Sequence, residues 1–193
     1  GRRVGYAVSN GINDRVLSVL NFLLIKVAWV ACVVGGSLPG MAVVSLMLLM
    51  CIVQGRWQRE RAFVLGLSVL GLILDSAWIH LGILDFGADS LNVANIQLAP
   101  LWIVMLWVAV GLSLFEALGF FVKRPLVGAL IVGATAPLSY STGAQFGAVT
   151  ISSSTSLLII AVVWVVVFGV VFELARRVQQ TGAGENNNPQ AAA

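Results

Sequence analysis

Apolar residues in this chain come in long runs, not in the two-residue alternation of strands or the one-sided stripes of soluble helices. Six runs approach or reach the roughly 20 residues that a helix needs to cross a hydrocarbon core: residues 16–34, 38–53, 62–84, 98–122, 126–148 and 157–174. The pattern predicts an all-α fold, a polytopic six-transmembrane-helix bundle forming one domain over residues 16–174. Residues 1–15 are expected to be an N-terminal segment. Residues 175–193 are expected to be a tail, disordered after about residue 180, because "TGAGENNNPQAAA" is small and polar with no apolar period. The joint "GGSLPG" is tight-turn chemistry, with Pro39 suited to a first helical turn, so the first two helices should form an antiparallel hairpin.

Composition agrees with that pattern. Hydrophobic residues make up 59% of the 193-residue chain and charged residues 10%, and the mean hydropathy is +0.98, more apolar surface than one soluble core could hide. A formal charge of +3 would fit nucleic acid, but no basic run is interleaved with aromatics, so that partner is excluded. The first run carries Asn21 and Lys26 and outlasts a signal-peptide core, so it is expected to stay as a helix. "AWVAC" at residues 28–32 has the outline of a lipoprotein box, but Trp29 stands where leucine is usual and further spans follow.

The basic residues set an orientation. Arg2, Arg3 and Arg15 precede the first helix, and Arg56, Arg59 and Arg61 separate the second from the third. Lys123 and Arg124 separate the fourth from the fifth, and Arg176 and Arg177 follow the sixth. All fall on one side of a six-span layout, which the positive-inside rule makes the cytoplasm, with both termini there. The loop 56–61 is then expected to face anionic headgroups.

Inside the spans, polar groups are costly and need partners or water. At about 1.5 Å per residue, Lys26 on the first helix, Asp75 on the third and Tyr140 on the fifth come out at roughly 15, 20 and 21 Å from the cytoplasmic ends. An ammonium, a carboxylate and a phenol near one level make a candidate intramembrane cluster, with Lys26 and Tyr140 expected to meet Asp75. Ser139, beside Tyr140, adds a hydroxyl, and Trp102 and Trp107 are placed to line a pocket. The bland alternative is that these groups only hold helices together. Glu116, about 9 Å from its helix end, is expected to pair with a nearby basic residue such as Lys123, and His80 to lie at the outer interface.

The glycines of the third and fifth helices, including the GxxxG pair Gly143 and Gly147, are expected at close helix contacts. Cys32 and Cys51 belong to opposite faces, which argues against a disulfide. With one histidine and no HExxH, nucleophile elbow, phosphate loop or paired acidic motif, no catalytic residue, cofactor or metal ligand is assigned.

Four segments resemble a known family: "NFLLIKVAWVACVVGG", "LILDSAWIHLGILDF", "APLWIVMLW" and "RPLVGALIVGATAPLSYSTGAQFGAV". They are similar to the bacterial inner-membrane proteins grouped as domain of unknown function 2878, over residues 21–149, with the Leu-Asp-Ser and Pro-Leu-Ser-Tyr elements the most specific. The resemblance implies a small multispan protein of a bacterial inner membrane whose biochemical role is unassigned, with a slight tilt toward lipid-related work. Where that family commonly has Asn-His-Ser, this chain has Phe115, Glu116 and Ala117.

The residues leave three functions open. The first is a small transporter or binding protein whose midplane site, from Lys26, Asp75, Tyr140, Ser139 and Trp102, takes a lipid-like or anionic molecule. The second is an accessory subunit, partnered by another membrane protein or a second copy. The third is a lipid-modifying enzyme using Asp75 or His80. Membrane lipids are partners in all three, and the missing motifs weigh against the enzyme.

Overall fold

A computed structural model describes residues 2–186, with side chains described for residues 13–182. Helix α1 (Arg2–Gly35) turns at Gly36, whose φ of 79° suits a residue without Cβ, into α2 (Ser37–Val53), so the expected hairpin forms. A short turn leads to α3 (Trp57–His80). Four stretches are long and apolar enough to cross a membrane: Asn13–Gly35, Trp57–His80, Pro125–Gln145 and Ser154–Gly182. The protein is therefore membrane-embedded. Apolar side chains pointing outward, such as Leu65, Val69, Ile73, Val162, Val166 and Val170, agree with a lipid surround. Helix length alone does not reach the expected six spans, because α2 has 17 residues and α4 (Leu101–Ser113) has 13.

The fourth run was expected to be one helix over 98–122. Instead α4 stops at Ser113, residues 114–118 form a turn, and α5 (Gly119–Lys123) resumes. The break is held from α1. Asn21 donates Nδ2 to the Leu112 carbonyl at 3.2 Å and accepts the Ala117 N–H at 3.3 Å, while Ser18 donates its hydroxyl to the Glu116 carbonyl at 3.2 Å. Backbone groups released by the turn would otherwise lack partners in an apolar setting. Helix α6 (Pro125–Gln145) starts on a proline and continues through Pro137. Helix α7 (Ser154–Asn186) runs past the expected end at residue 174. Extending an existing helix costs far less than nucleating one, so the polar residues after 180 continue the helix to Asn186. The rest of the expected disordered tail, residues 187–193, lies outside the described residues.

The all-α expectation also needs a correction at the end of the bundle opposite the arginines. Strands β1 (Leu84–Asp85), β2 (Leu91–Val93) and β3 (Ile96–Leu98) precede α4, and β4 (Thr150–Ile151) precedes α7. β2 and β3 form an antiparallel hairpin, and β1 pairs antiparallel with β4. Ala94 and Asn95 at the hairpin turn have φ of 50° and 64°, the conformation that matches a two-residue turn to strand twist. This small cap buries Leu84 and Phe86, and the Ala99 N–H donates to Ser76 Oγ at 2.9 Å.

Helix α4 packs against α1, α2 and α3, while α6 packs along α7 with α5 against both. Gly133 lies against Val165 and the Ala161 carbonyl, and Gly128 lies against Phe172, so bare Cα atoms bring α6 and α7 together. The expected GxxxG contact is corrected: Gly143 sits near Val149 and Val33, but Gly147 has φ 75° and open space around it, and follows the end of α6.

Candidate functional site

Asp75 is fully buried on α3. Trp107 of α4 donates Nε1 to Asp75 Oδ2 at 2.8 Å, and Tyr140 of α6 donates its hydroxyl to Oδ1 at 2.8 Å. One carboxyl group thereby links three helices and meets both donors at good hydrogen-bond distances. Lys26 was expected to complete this cluster and does not. Its side chain is exposed on α1, with Nζ 5.3 Å from the centroid of the Phe22 ring. Among the described residues it makes no ion pair within 4.0 Å. The Trp107 indole stands where the ammonium was expected, beside the Tyr140 phenol, which was expected there and does meet Asp75.

Lys26 nevertheless faces the same space. A groove of about 530 Å³ runs between α1, α4 and α6, lined by Lys26, Trp102, Trp107, Ser139, Tyr140 and Trp164 together with aliphatic side chains. Four of the five residues assigned from sequence, Lys26, Trp102, Ser139 and Tyr140, border it. Asp75 does not border it: it stands behind Trp107 and Tyr140, the groove's polar floor.

Sequence reasoning missed Trp164. Its ring packs against both Trp107 and Phe168, with centroids 5.0 and 4.9 Å away, the three rings forming one cluster. The available signal was its position inside "AVVWVVVF", mid-helix and away from the interfacial levels where tryptophans gather.

A second buried carboxylate lies at the arginine-rich end. Glu60, wholly enclosed, accepts from Arg56 Nη1 and Arg59 Nη2, each at 2.7 Å, and from Cys51 Sγ at 3.6 Å. Glu116, in the turn after α4, approaches both arginines at 3.7 Å. Its expected basic partner is therefore Arg56 or Arg59, not Lys123. The Arg56–Glu60 spacing of four was readable as a helical pair; its burial was not. Cys32 and Cys51 are both free and buried. Among the described residues, no group of three His, Cys, Asp or Glu side chains could hold a metal ion.

Residues 18–170 match the family described as Protein of unknown function (DUF2878), and the chain belongs to that family. No curated protein and no solved structure matches the chain.

Proposed function

We propose that this DUF2878 member is a six-span protein of a bacterial inner membrane, with both termini in the cytoplasm, and that its groove binds a lipid-like anionic molecule for carriage or transport. The single observation behind this reading is the groove's make-up: apolar walls with one unpaired cation, Lys26, at its edge. About 530 Å³ is within the range of small-molecule sites, which are mostly apolar with a few orienting polar groups. Lys26 is a donor at the groove, so the complementary head is an acceptor such as a carboxylate or phosphate. The six-span reading is supported by α4, its turn and α5 together covering the fourth run, and by ion pairs between the 56–60 and 116 segments at one end.

The test uses the tryptophans themselves. Trp29, Trp102, Trp107 and Trp164 all border the groove, so a brominated fatty acid should quench their fluorescence saturably in detergent micelles. Lys26→Met should weaken that acid about ten-fold or more, the effect of losing a charged hydrogen bond, and should leave a brominated alcohol unaffected. Quenching that rises only linearly with bromolipid, or an acid affinity indifferent to Lys26→Met, would overturn the proposal.

A second reading, the accessory subunit, draws on Asp75: enclosed and hydrogen-bonded from two helices, it has the form of an interhelical tie. In that case the groove would receive a partner's apolar helix, and the brominated acid would not saturate.

A further inference from the structure

The arginine-rich end contains a feature that neither the groove nor the expected lipid-facing loop uses. Arg56 and Arg59 of that loop are tied to Glu60 and Glu116, so much of their charge is neutralised within the protein. Lys123 and Arg176 are placed differently. Among the described residues, a cleft of about 270 Å³ between α5 and α7 is lined by Lys123, Arg176, Gln179 and Gln180. Arg176 gives Nε and Nη2 to Glu173, each at 2.8 Å, and Arg177 gives Nε to the same carboxylate at 2.8 Å. One carboxylate thus serves two guanidiniums, which leaves positive charge over and directs Nη1 of Arg176 to other acceptors. Among the described residues, Lys123 makes no ion pair and neither glutamine carboxamide makes a hydrogen bond. The cleft adjoins an apolar surface: Phe120, one turn before Lys123, is 53% exposed, and Leu174 and Val178 on α7 also point outward.

We infer that this cleft is a binding site for the phosphate headgroup of an anionic phospholipid, distinct from the groove. A lysine ammonium, a partly free guanidinium and two carboxamides supply donors to phosphate oxygens, while Phe120, Leu174 and Val178 offer acyl chains a surface. A lipid with a choline ammonium next to its phosphate would be disfavoured by the same cations.

Native mass spectrometry of the full chain, released from nanodiscs of mixed phosphatidylglycerol and phosphatidylcholine, tests this. The wild type should retain phosphatidylglycerol in preference. Lys123→Gln should lower that retention about five-fold, the effect of one basic residue near an anionic surface, and Lys123→Glu should lower it further. Lys123 is exposed, so both variants should fold. Arg61→Gln, an exposed basic residue of the same end outside the cleft, should lower retention less than Lys123→Gln does, and excess inorganic phosphate should leave it unchanged. Retention indifferent to Lys123, or equally reduced by Arg61→Gln, would overturn the site. Displacement by inorganic phosphate would overturn the lipid assignment in favour of a free anion.

Discussion

The indole of Trp107 lies directly over Gly71, so close that any Cβ at residue 71 would overlap the ring. Gly71 is one helical turn before Asp75 on α3, and the same indole donates to Asp75 at 2.8 Å and stacks on Trp164 at 5.0 Å. The bare Cα of Gly71 therefore sets how near α4 comes to α3, which in turn puts the buried carboxyl within reach of its donor.

Gly71→Ala should destabilise the protein by about 1 to 3 kcal/mol, the usual cost of overpacking, because Trp107 is also packed against Trp164 and Phe168. Gly66→Ala, at a position with open space around it, is the control and should be neutral or stabilising. Unfolding in detergent, followed by tryptophan fluorescence, separates the two; equal effects would refute the role given to Gly71.

Asp75→Leu strands Trp107 Nε1 and Tyr140 Oη, and each buried donor left unpaired costs about 1 to 3 kcal/mol. Asp75→Asn keeps an acceptor and should lose less. Lys26→Met should change stability by no more than about 0.5 kcal/mol, as for an unpaired surface position. Combining it with Asp75→Asn should show additive losses, and rescue in the double variant would mean that the two side chains do pair.

Asn21→Leu removes both hydrogen bonds across the α4 break. A loss of about 1 to 3 kcal/mol is expected, together with faster hydrogen exchange at the Ala117 amide. Unchanged exchange at that amide would show that the turn holds itself.

Glu60→Gln leaves Arg56 and Arg59 without their buried partner, which typically costs about 3 to 5 kcal/mol. The 52% exposure of the Arg59 side chain brings the expectation toward the lower end. Folded yield and unfolding midpoint measure it, and a loss no larger than that of Arg61→Gln would count against a buried network.

How much of this was readable in the chain depends on which coordinate is asked for. Run length and hydropathy marked the apolar helices, because the hydrocarbon thickness and the 1.5 Å rise dictate how many residues a span needs. The same rise put Asp75 and Tyr140 near one level, and they meet. It put Lys26 near that level too, but rise says nothing about rotation or neighbours: Lys26 faces the groove while Trp107 takes its expected place at Asp75 beside Tyr140. The break after Ser113 depends on Asn21 and Ser18 from a helix some 90 residues earlier, so no local pattern announces it. The hairpin at Ala94 and Asn95 lacks the glycine that usually marks such a turn. Trp164 enters the site only because α7 packs beside α6 and brings its ring onto Trp107. Hydrophobic pattern along one dimension therefore determined which segments are apolar and helical; where a run breaks or a helix continues, the faces they share, and with them the groove, the two buried carboxyl ties and the basic cleft, were decided by the folded chain, chiefly by side chains meeting across helices.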